Sequence, residues 1–163
     1  MAAPPDPSVR PGTADDAGEL ARLRWEWRAG QGRPLEMDEA RFTEAFVPWV
    51  VAHLATHVPF VAADDDGLVG MGWIALFDRV PGPDQWTRRS ATVQAVYVTP
   101  ARRGAGIGAA VTQALLDHAA ALGCDYVTVH PSQRSFPMYR RLGFATWEGV
   151  LELDLHATRM PPT

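Results

Sequence analysis

Three glycines, Gly104, Gly106 and Gly108, alternate with small residues directly after a basic pair, Arg102 and Arg103. They close the run Val96-Tyr97-Val98-Thr99-Pro100-Ala101-Arg102-Arg103-Gly104-Ala105-Gly106-Ile107-Gly108-Ala109. Upstream, Thr92 to Val98 is β-rich and stops at Pro100; downstream, Val111, Leu115 and Leu116 mark one side of a helix. The pattern is strand, tight loop, helix start. Unpaired backbone N–H groups at a helix start, with the helix dipole behind them, attract anions. Glycines let a bulky anion rest on the main chain, and the two arginines add positive charge. The chemistry called for is binding of a phosphate or pyrophosphate.

Glycine loops of this kind serve several ligands. A nucleoside triphosphate loop needs Lys-Ser or Lys-Thr after its last glycine, and none follows here. Gly104, Gly106 and Ala109 formally match the dinucleotide fingerprint. Its context fails: Pro100 and the arginines separate strand from glycines, and no acidic residue ends the next strand. Arg103-x-x-Gly106-x-Gly108, preceded by Tyr97-Val98-x-Pro100, instead resembles the coenzyme A loop of the GNAT superfamily of acetyl-CoA-dependent N-acetyltransferases. A second segment strengthens the resemblance. Ser132-Gln133-Arg134-Ser135-Phe136-Pro137-Met138-Tyr139-Arg140-Arg141-Leu142-Gly143-Phe144 is similar to the family's N-x-x-A-x-x-L-Y-x-x-x-G-F, with Tyr139, Gly143 and Phe144 matching. Ser132 stands for the usual Asn and Ser135 for the usual Ala. The N-terminal half matches only in pattern.

The resemblance implies roles for particular residues. The coenzyme pyrophosphate would rest on the N–H groups of Gly104, Ala105, Gly106, Ile107, Gly108 and Ala109, with Arg103 beside them. The pantetheine arm would pair with the strand through Val96, Tyr97 and Val98. A backbone N–H near Val98 would polarise the thioester carbonyl, as an oxyanion hole does. Tyr139 would protonate the departing thiolate; its alternative is to pack beside Met138 and Phe144. Ser132 would contact the pantetheine arm or cap a helix. Many members carry Glu three residues before the Tyr97 position. Here that residue is Gln94, which takes no proton. Glu26, Glu36, Asp78 and Asp84 lie in segments that can border the acceptor side, yet each reads better as a solvated surface charge. Trp25, Trp27, Trp73 and Gln94 are the candidates for the acceptor pocket, with packing as the competing reading for the tryptophans.

The elements that must position these residues follow from periodicity and breakers. Residues 1–8, with three prolines, read as a disordered tail. Val9 to Pro11 starts a short strand. Thr13 caps a helix carrying Leu20, Leu23, Arg24 and Trp27, which ends at Gly30 and Gly32. Asp38 caps a second helix with Phe42, Phe46, Trp49 and Val50 inward, broken or kinked at Pro48. Pro59 to Ala63 and Leu68 to Phe77 form a hairpin about Asp64-Asp65-Asp66-Gly67. Ser90 to Thr99 leads to the glycine loop. A helix from Gly104 to Leu122, a strand from Asp125 to His130, and a helix from Ser135 to Leu142 follow. Strands at Phe144–Glu148 and Val150–Leu155 close the chain, and the remaining residues are loose. The order βααβββαβαββ describes a mixed α/β domain over residues 9–156, with a central, mostly antiparallel sheet covered by helices, a GNAT-like fold.

Composition narrows the function classes. The 163 residues suit one domain. A formal net charge of −4 argues against a nucleic-acid surface and favours a cationic substrate such as an amine. No apolar run reaches the ~20 residues of a membrane span. The N-terminus lacks the features of a signal peptide, and the single cysteine, Cys124, cannot form an internal disulfide. A reducing, cytoplasmic setting is the expectation, with Cys124 a packing residue. His53 and His57 have the i, i+4 spacing of metal ligands on a helix, but no Glu follows His53 and no third ligand is evident, so no metal is expected. His130 ends a central strand and either faces the cleft or makes a structural hydrogen bond. The expected function is transfer of acetyl from acetyl-CoA to a primary amine of a small molecule or amino-acid-like acceptor, with no nucleic-acid or membrane partner. Family members are often dimers, and the C-terminal strands offer a contact for a homodimer. Two alternatives stand: acetylation of a protein or peptide amine, and a coenzyme-binding module without transfer.

Overall fold

The computed structural model of the protein describes residues 7–153. Four strands, β1 (Ser8–Pro11), β2 (His57–Asp64), β3 (Gly67–Asp78) and β4 (Arg89–Val98), pair antiparallel in chain order, and β5 (Val127–Val129) joins β4 in parallel. Helices α1 (Ala17–Ala29) and α2 (Glu39–His53) enter between β1 and β2. Helix α3 (Ile107–Ala121) connects β4 to β5, and the short α4 (Phe136–Arg141) follows. This is the expected mixed α/β architecture with a mostly antiparallel sheet flanked by helices.

Period-two alternation divides the core between two faces. Val61, Met71, Trp73, Ala95 and Tyr97 point to α1 and α2, where they meet Leu20, Leu23 and Val50. Phe60, Ala62, Ile74 and Val93 point to α3 and meet Val111 and Leu115. Helix α3 lies almost on the backbone of β3. A Cβ placed on Gly72 would come within 2.6 Å of Val111 Cγ1 and 2.9 Å of Leu115 Cδ1. At the other end of the chain, Asp16 fixes the entry to α1. Its carboxylate accepts from both guanidinium nitrogens of Arg10 at 2.7 Å and from the Thr13 N–H at 2.8 Å.

Several elements depart from the sequence reading. Helix α2 starts at the expected cap, with Asp38 Oδ1 accepting from Arg41 N–H at 2.9 Å, but runs unbroken through Pro48. Pro48 and Glu44 are exposed, so water can serve the Glu44 carbonyl that loses its N–H partner. Helix α3 begins at Ile107, not Gly104, and β5 shrinks to Val127–Val129. His57 lies on β2, so its spacing from His53 is not a helical one. Residues 144–153 form no strand, although Phe144–Glu148 and the start of Val150–Leu155 alternate in polarity. Their Trp147, Val150, Leu151 and Leu153 are 63–96% exposed, pairing with no sheet edge. Alternation suits a residue to a strand but supplies no hydrogen-bond partner. The end of the last expected strand, the C-terminal tail and most of the N-terminal tail lie outside the described residues.

Candidate active site

The site grows from a fault in the sheet. β4 pairs with β5 only at Ala91, Thr92 and Val93. Beyond Val93 it keeps β3 on one side and has no strand on the other among the described residues. The register against β3 also slips here: Trp73 faces Ala95 and Ile74 faces Val93, so Gln94 is an extra, bulged residue. The bulge reverses the alternation of β4. Val93, Val96 and Val98 all face α3, while Ala95 and Tyr97 face α1 and α2. It reverses the backbone as well. Ala91 N–H bonds toward β5, to Tyr126 O, whereas Thr99 N–H bonds toward β3, to Val69 O. Successive N–H groups of a strand point to opposite edges, so those of Val96 and Val98 point to the open side.

The open edge leads into the glycine loop. After a 3-10 turn at Pro100–Arg102, Gly104 has φ +86° and Gly106, the N-cap of α3, has φ +78°. These are left-handed conformations that a side chain resists. A Cβ at either glycine would point into open space, so conformation and not crowding demands glycine there. Among the described residues, none of the N–H groups from Gly104 to Ala109 finds an acceptor; the first to do so is Ala110, bonded to Gly106 O at 3.0 Å. A continuous row of donors therefore curves around the helix start.

The arginines behave differently from a simple pool of positive charge. Arg102 is ion-paired to Asp64, whose side chain is only 2% exposed, so this cation is already neutralised. Arg103 donates through Nε to Val98 O at 3.0 Å and lies 5.6 Å from the Tyr97 ring centroid. Arg103 thus rims the open edge at Val98. The Tyr97 side chain points away from that edge, into the α1 and α2 core, with its hydroxyl 3.4 Å from Glu26 Oε2. Its backbone belongs to the ladder with β3, opposite Met71, so Tyr97 presents neither its side chain nor its backbone polar groups to the open edge.

On the α3 face, α4 brings Tyr139 beneath the first turn of α3. Met138 Sδ would be 3.6 Å from a Cβ on Gly108. Tyr139 is 5% exposed and meets Phe144 edge-on at 5.4 Å. Burial raises its pKa above the ordinary value, against a smaller lowering by Thr112. The phenol therefore keeps its proton at neutral pH. Ser132 shapes the turn into α4: its Oγ accepts from Ser135 N–H at 3.2 Å and lies 3.0 Å from Ser135 Oγ. The N-cap of α4 is Ser135, so Ser132 braces the turn before the helix and does not cap it.

Two recesses that share Arg24 open on the opposite face. The smaller is lined by Arg24, Phe46, Trp49, Trp73, Gln94 and Ala95. The larger, of about 380 Å³, lies under the 30–38 loop and takes in Arg24, Trp25, Arg28, Glu36 and Phe42. Arg24 borders both. Aromatic rings at helical spacing on α2 build the shared wall: Phe42 stacks on Phe46 at 4.9 Å and Phe46 on Trp49 at 5.6 Å. Trp73 closes the row from the sheet, 5.9 Å from Phe46 and 6.1 Å from Trp49.

The structure therefore collects Trp73 and Gln94 in one recess and places Trp25 in the adjoining one. Trp27 lines neither; it packs against the α1 core, with the Arg24 guanidinium 4.6 Å above its ring. Of the four carboxylates considered, Glu26 accepts from Arg22 at 2.6 Å, Asp78 pairs with Arg89 on the surface, and Asp84 is exposed. Glu36 borders the larger recess, and no carboxylate borders the smaller. His130 faces outward and lies 3.2 Å from Glu152, not in the cleft. Cys124 packs against the α3-side core, and burial raises its thiol pKa. Sequence reasoning missed Arg24, Phe46 and Trp49 as site residues. A signal for Arg24 existed: it falls between Leu20 and Trp27 on the apolar side of α1, where a charge conflicts with the pattern. Among the described residues no group of three or more potential ligands is close enough to hold a metal ion, and no helix is long and apolar enough to cross a membrane.

This geometry has known counterparts. The model of the acetyltransferase (GNAT) family matches residues 19–144. A mycothiol acetyltransferase of Actinosynnema mirum is 30% identical over 154 residues, 91% of this chain and 46% of the relative. A glucosamine 6-phosphate N-acetyltransferase of Trypanosoma brucei brucei is 38% identical over 63 residues, 39% of this chain and 43% of the relative. The chain thus spans less than half the length of these curated relatives. Among solved structures, a "predicted acetyltransferase with acetyl-CoA" from Clostridium acetobutylicum superposes with a TM-score of 0.73 at 23% identity, covering 91% of this chain and 96% of that one. A GCN5-related N-acetyltransferase from Ralstonia eutropha gives 0.69 at 22% identity, over 90% and 97%. These two likenesses concern the fold. The family match covers most of the chain and contains the bulged strand, the glycine loop and Tyr139: the chain belongs to the GNAT acetyltransferase family.

Proposed function

We propose that the protein transfers an acetyl group from acetyl-CoA to a primary amine of a small molecule. The observation that carries this reading is the unpaired edge of β4, which runs from the bulge at Gln94 directly into the free N–H groups of Gly104 to Ala109. An extended arm ending in a pyrophosphate matches that surface: the edge accepts a strand-like partner, and the helix start accepts the anion. Acetyl-CoA supplies the thioester; the protein supplies position and polarity. The N–H groups of Val96 and Val98 hold the arm, and the one near Val98 polarises the carbonyl. Tyr139, kept protonated by burial, gives its proton to the thiolate sulfur. Ordinary thiol and phenol pKa values differ by only ~1.5 units, and burial that raises the phenol's raises a thiol's in the same direction.

The relatives named for glucosamine 6-phosphate and mycothiol support a small-molecule acceptor. With Gln94 in place of a carboxylate, the amine reaches the carbonyl already neutral or loses its proton through water. Turnover then rises with pH toward the pKa of the acceptor itself. Titration calorimetry with acetyl-CoA, using NADH as the comparison, tests the coenzyme; thiol release with an amine panel tests transfer. Binding of acetyl-CoA alone followed by amine-dependent thiol release supports the reading. Binding without release across the panel favours the non-catalytic module, a reading that the carboxylate-free recess at Gln94 keeps open. No binding refutes both.

A further inference from the structure

Among the described residues, two buried donors that belong to residues lining the smaller recess have no acceptor: Nη1 of Arg24 and Nε1 of Trp73. Trp73 is 5% exposed. Folded proteins rarely leave such groups unpaired, because each forfeits its hydrogen bonds to water. Both orphans border one recess, and the Gln94 side chain borders it too. The other α1 arginines are engaged. Arg22 bonds Glu19 and Glu26, and Arg28 bonds Gln31. Arg24 has no carboxylate within ion-pair distance among the described residues; its nearest charged influence is the like charge of Arg28. Stacking on Trp27 holds its guanidinium in place. The recess is also walled by Phe46 and Trp49, so the two residues that carry these buried donors line a largely apolar enclosure. A positive charge and two donors, with no protein acceptor, call for a negatively charged oxygen. The coenzyme cradle does not meet that demand, because its donors lie on the loop at the start of α3 and Arg24 lies on α1.

We propose that the amine substrate carries an oxyanion, a carboxylate or a phosphate, which Arg24 and Trp73 receive beside the β4 bulge. This rests on the transfer reading above and names the class of its acceptor. Arg24 and Trp73 are specificity residues: an amine lacking the oxyanion leaves both donors buried and unpaired, which is how a polar site rejects a neutral analogue. The bulge makes the arrangement effective. It turns Gln94 and Ala95 together toward the recess, so the anion site adjoins the edge along which the thioester would lie.

The test uses the full chain with coenzyme A present and two matched pairs of amines: β-alanine with β-alaninamide, and O-phosphoethanolamine with ethanolamine. The indole N–H resonance of Trp73, assigned through Trp73→Phe, reports occupancy without requiring turnover. The expected result is that the charged member of at least one pair shifts this resonance and binds at least roughly ten-fold tighter than its neutral partner, the loss expected for one charged hydrogen bond. The responding pair identifies carboxylate or phosphate. Arg24→Gln should remove that preference while leaving acetyl-CoA affinity unchanged, and Arg24→Lys should restore only part of it. Equal binding of charged and neutral partners, or no shift with any charged amine, overturns the proposal. Calorimetry with acetyl-CoA is read separately, so loss of the transfer reading is distinguishable from loss of the anion site.

Discussion

Tyr139 has two jobs open to it, and its surroundings serve both. The ring packs on Phe144 in a nearly closed site, while the hydroxyl keeps its proton through burial. Tyr139→Phe preserves the packing and removes the proton. We expect turnover to fall by about 100-fold, the lower end for a general acid, with acetyl-CoA affinity nearly unchanged by calorimetry. Equal turnover would leave Tyr139 a packing residue. Gly106 makes a different prediction. Its φ of +78° and position at the start of α3 disfavour any side chain, and glutamate adds repulsion where the pyrophosphate would sit. Gly106→Glu should abolish measurable acetyl-CoA binding in a protein whose circular dichroism is unaltered. Retained affinity would remove the loop from the coenzyme site. Both residues were legible in the sequence, because a left-handed glycine and a motif tyrosine depend on local spacing. Arg24 carried a sequence signal, a charge on the apolar side of α1, but its unpaired state did not show there, since it depends on which strand α1 packs against.

At the scale of elements, the close approach of α3 to β3 and the bulge in β4 set the site together. Gly72 permits the approach: a side chain there meets Val111 at 2.6 Å and Leu115 at 2.9 Å. Val111 is branched next to its backbone and can yield little. Gly72→Val should destabilise the fold by ~1–3 kcal/mol, the usual cost of overpacking, measured by urea unfolding. An unchanged unfolding midpoint would mean that α3 can shift away from the sheet. The bulge cannot be read from the run Thr92 to Val98, which shows no interruption. It appears only when β4 is set against β3, where one strand has a residue more than the other. Residues 144–153 stay out of the sheet for a related reason: strand-forming residues are present, but strand formation needs an edge to pair with.

For the whole molecule, three kinds of group set the response to pH. Asp16 has its pKa lowered, chiefly by the hydrogen bonds from Arg10, so its contribution is present above the ordinary carboxylate value and is lost as pH falls. His57 has its pKa lowered by burial and by His53, so the folded protein keeps it neutral while the unfolded chain takes up a proton below about pH 6.5. Stability from His57 is therefore also lost on acidification, beginning at a higher pH than for Asp16. Tyr97 and Tyr139 have raised pKa values, chiefly through burial, so the folded state loses ground as pH rises above about 10. Unfolding free energy measured across pH should form a plateau between these limits, and His57→Gln should remove the first acid decline. A decline that persists in that variant would place the titrating group elsewhere.

By itself, the sequence determined the mixed α/β order, the glycine loop, the tyrosine segment and the family. Each rests on local spacing: turn residues, caps and periodicity act over a few neighbours along the chain. Tertiary structure alone decided that Gln94 is bulged, that Arg102 is neutralised by Asp64, and that Arg24 and Trp73 share a recess. Those facts join residues distant in sequence, and they follow from which faces pack and which edges pair.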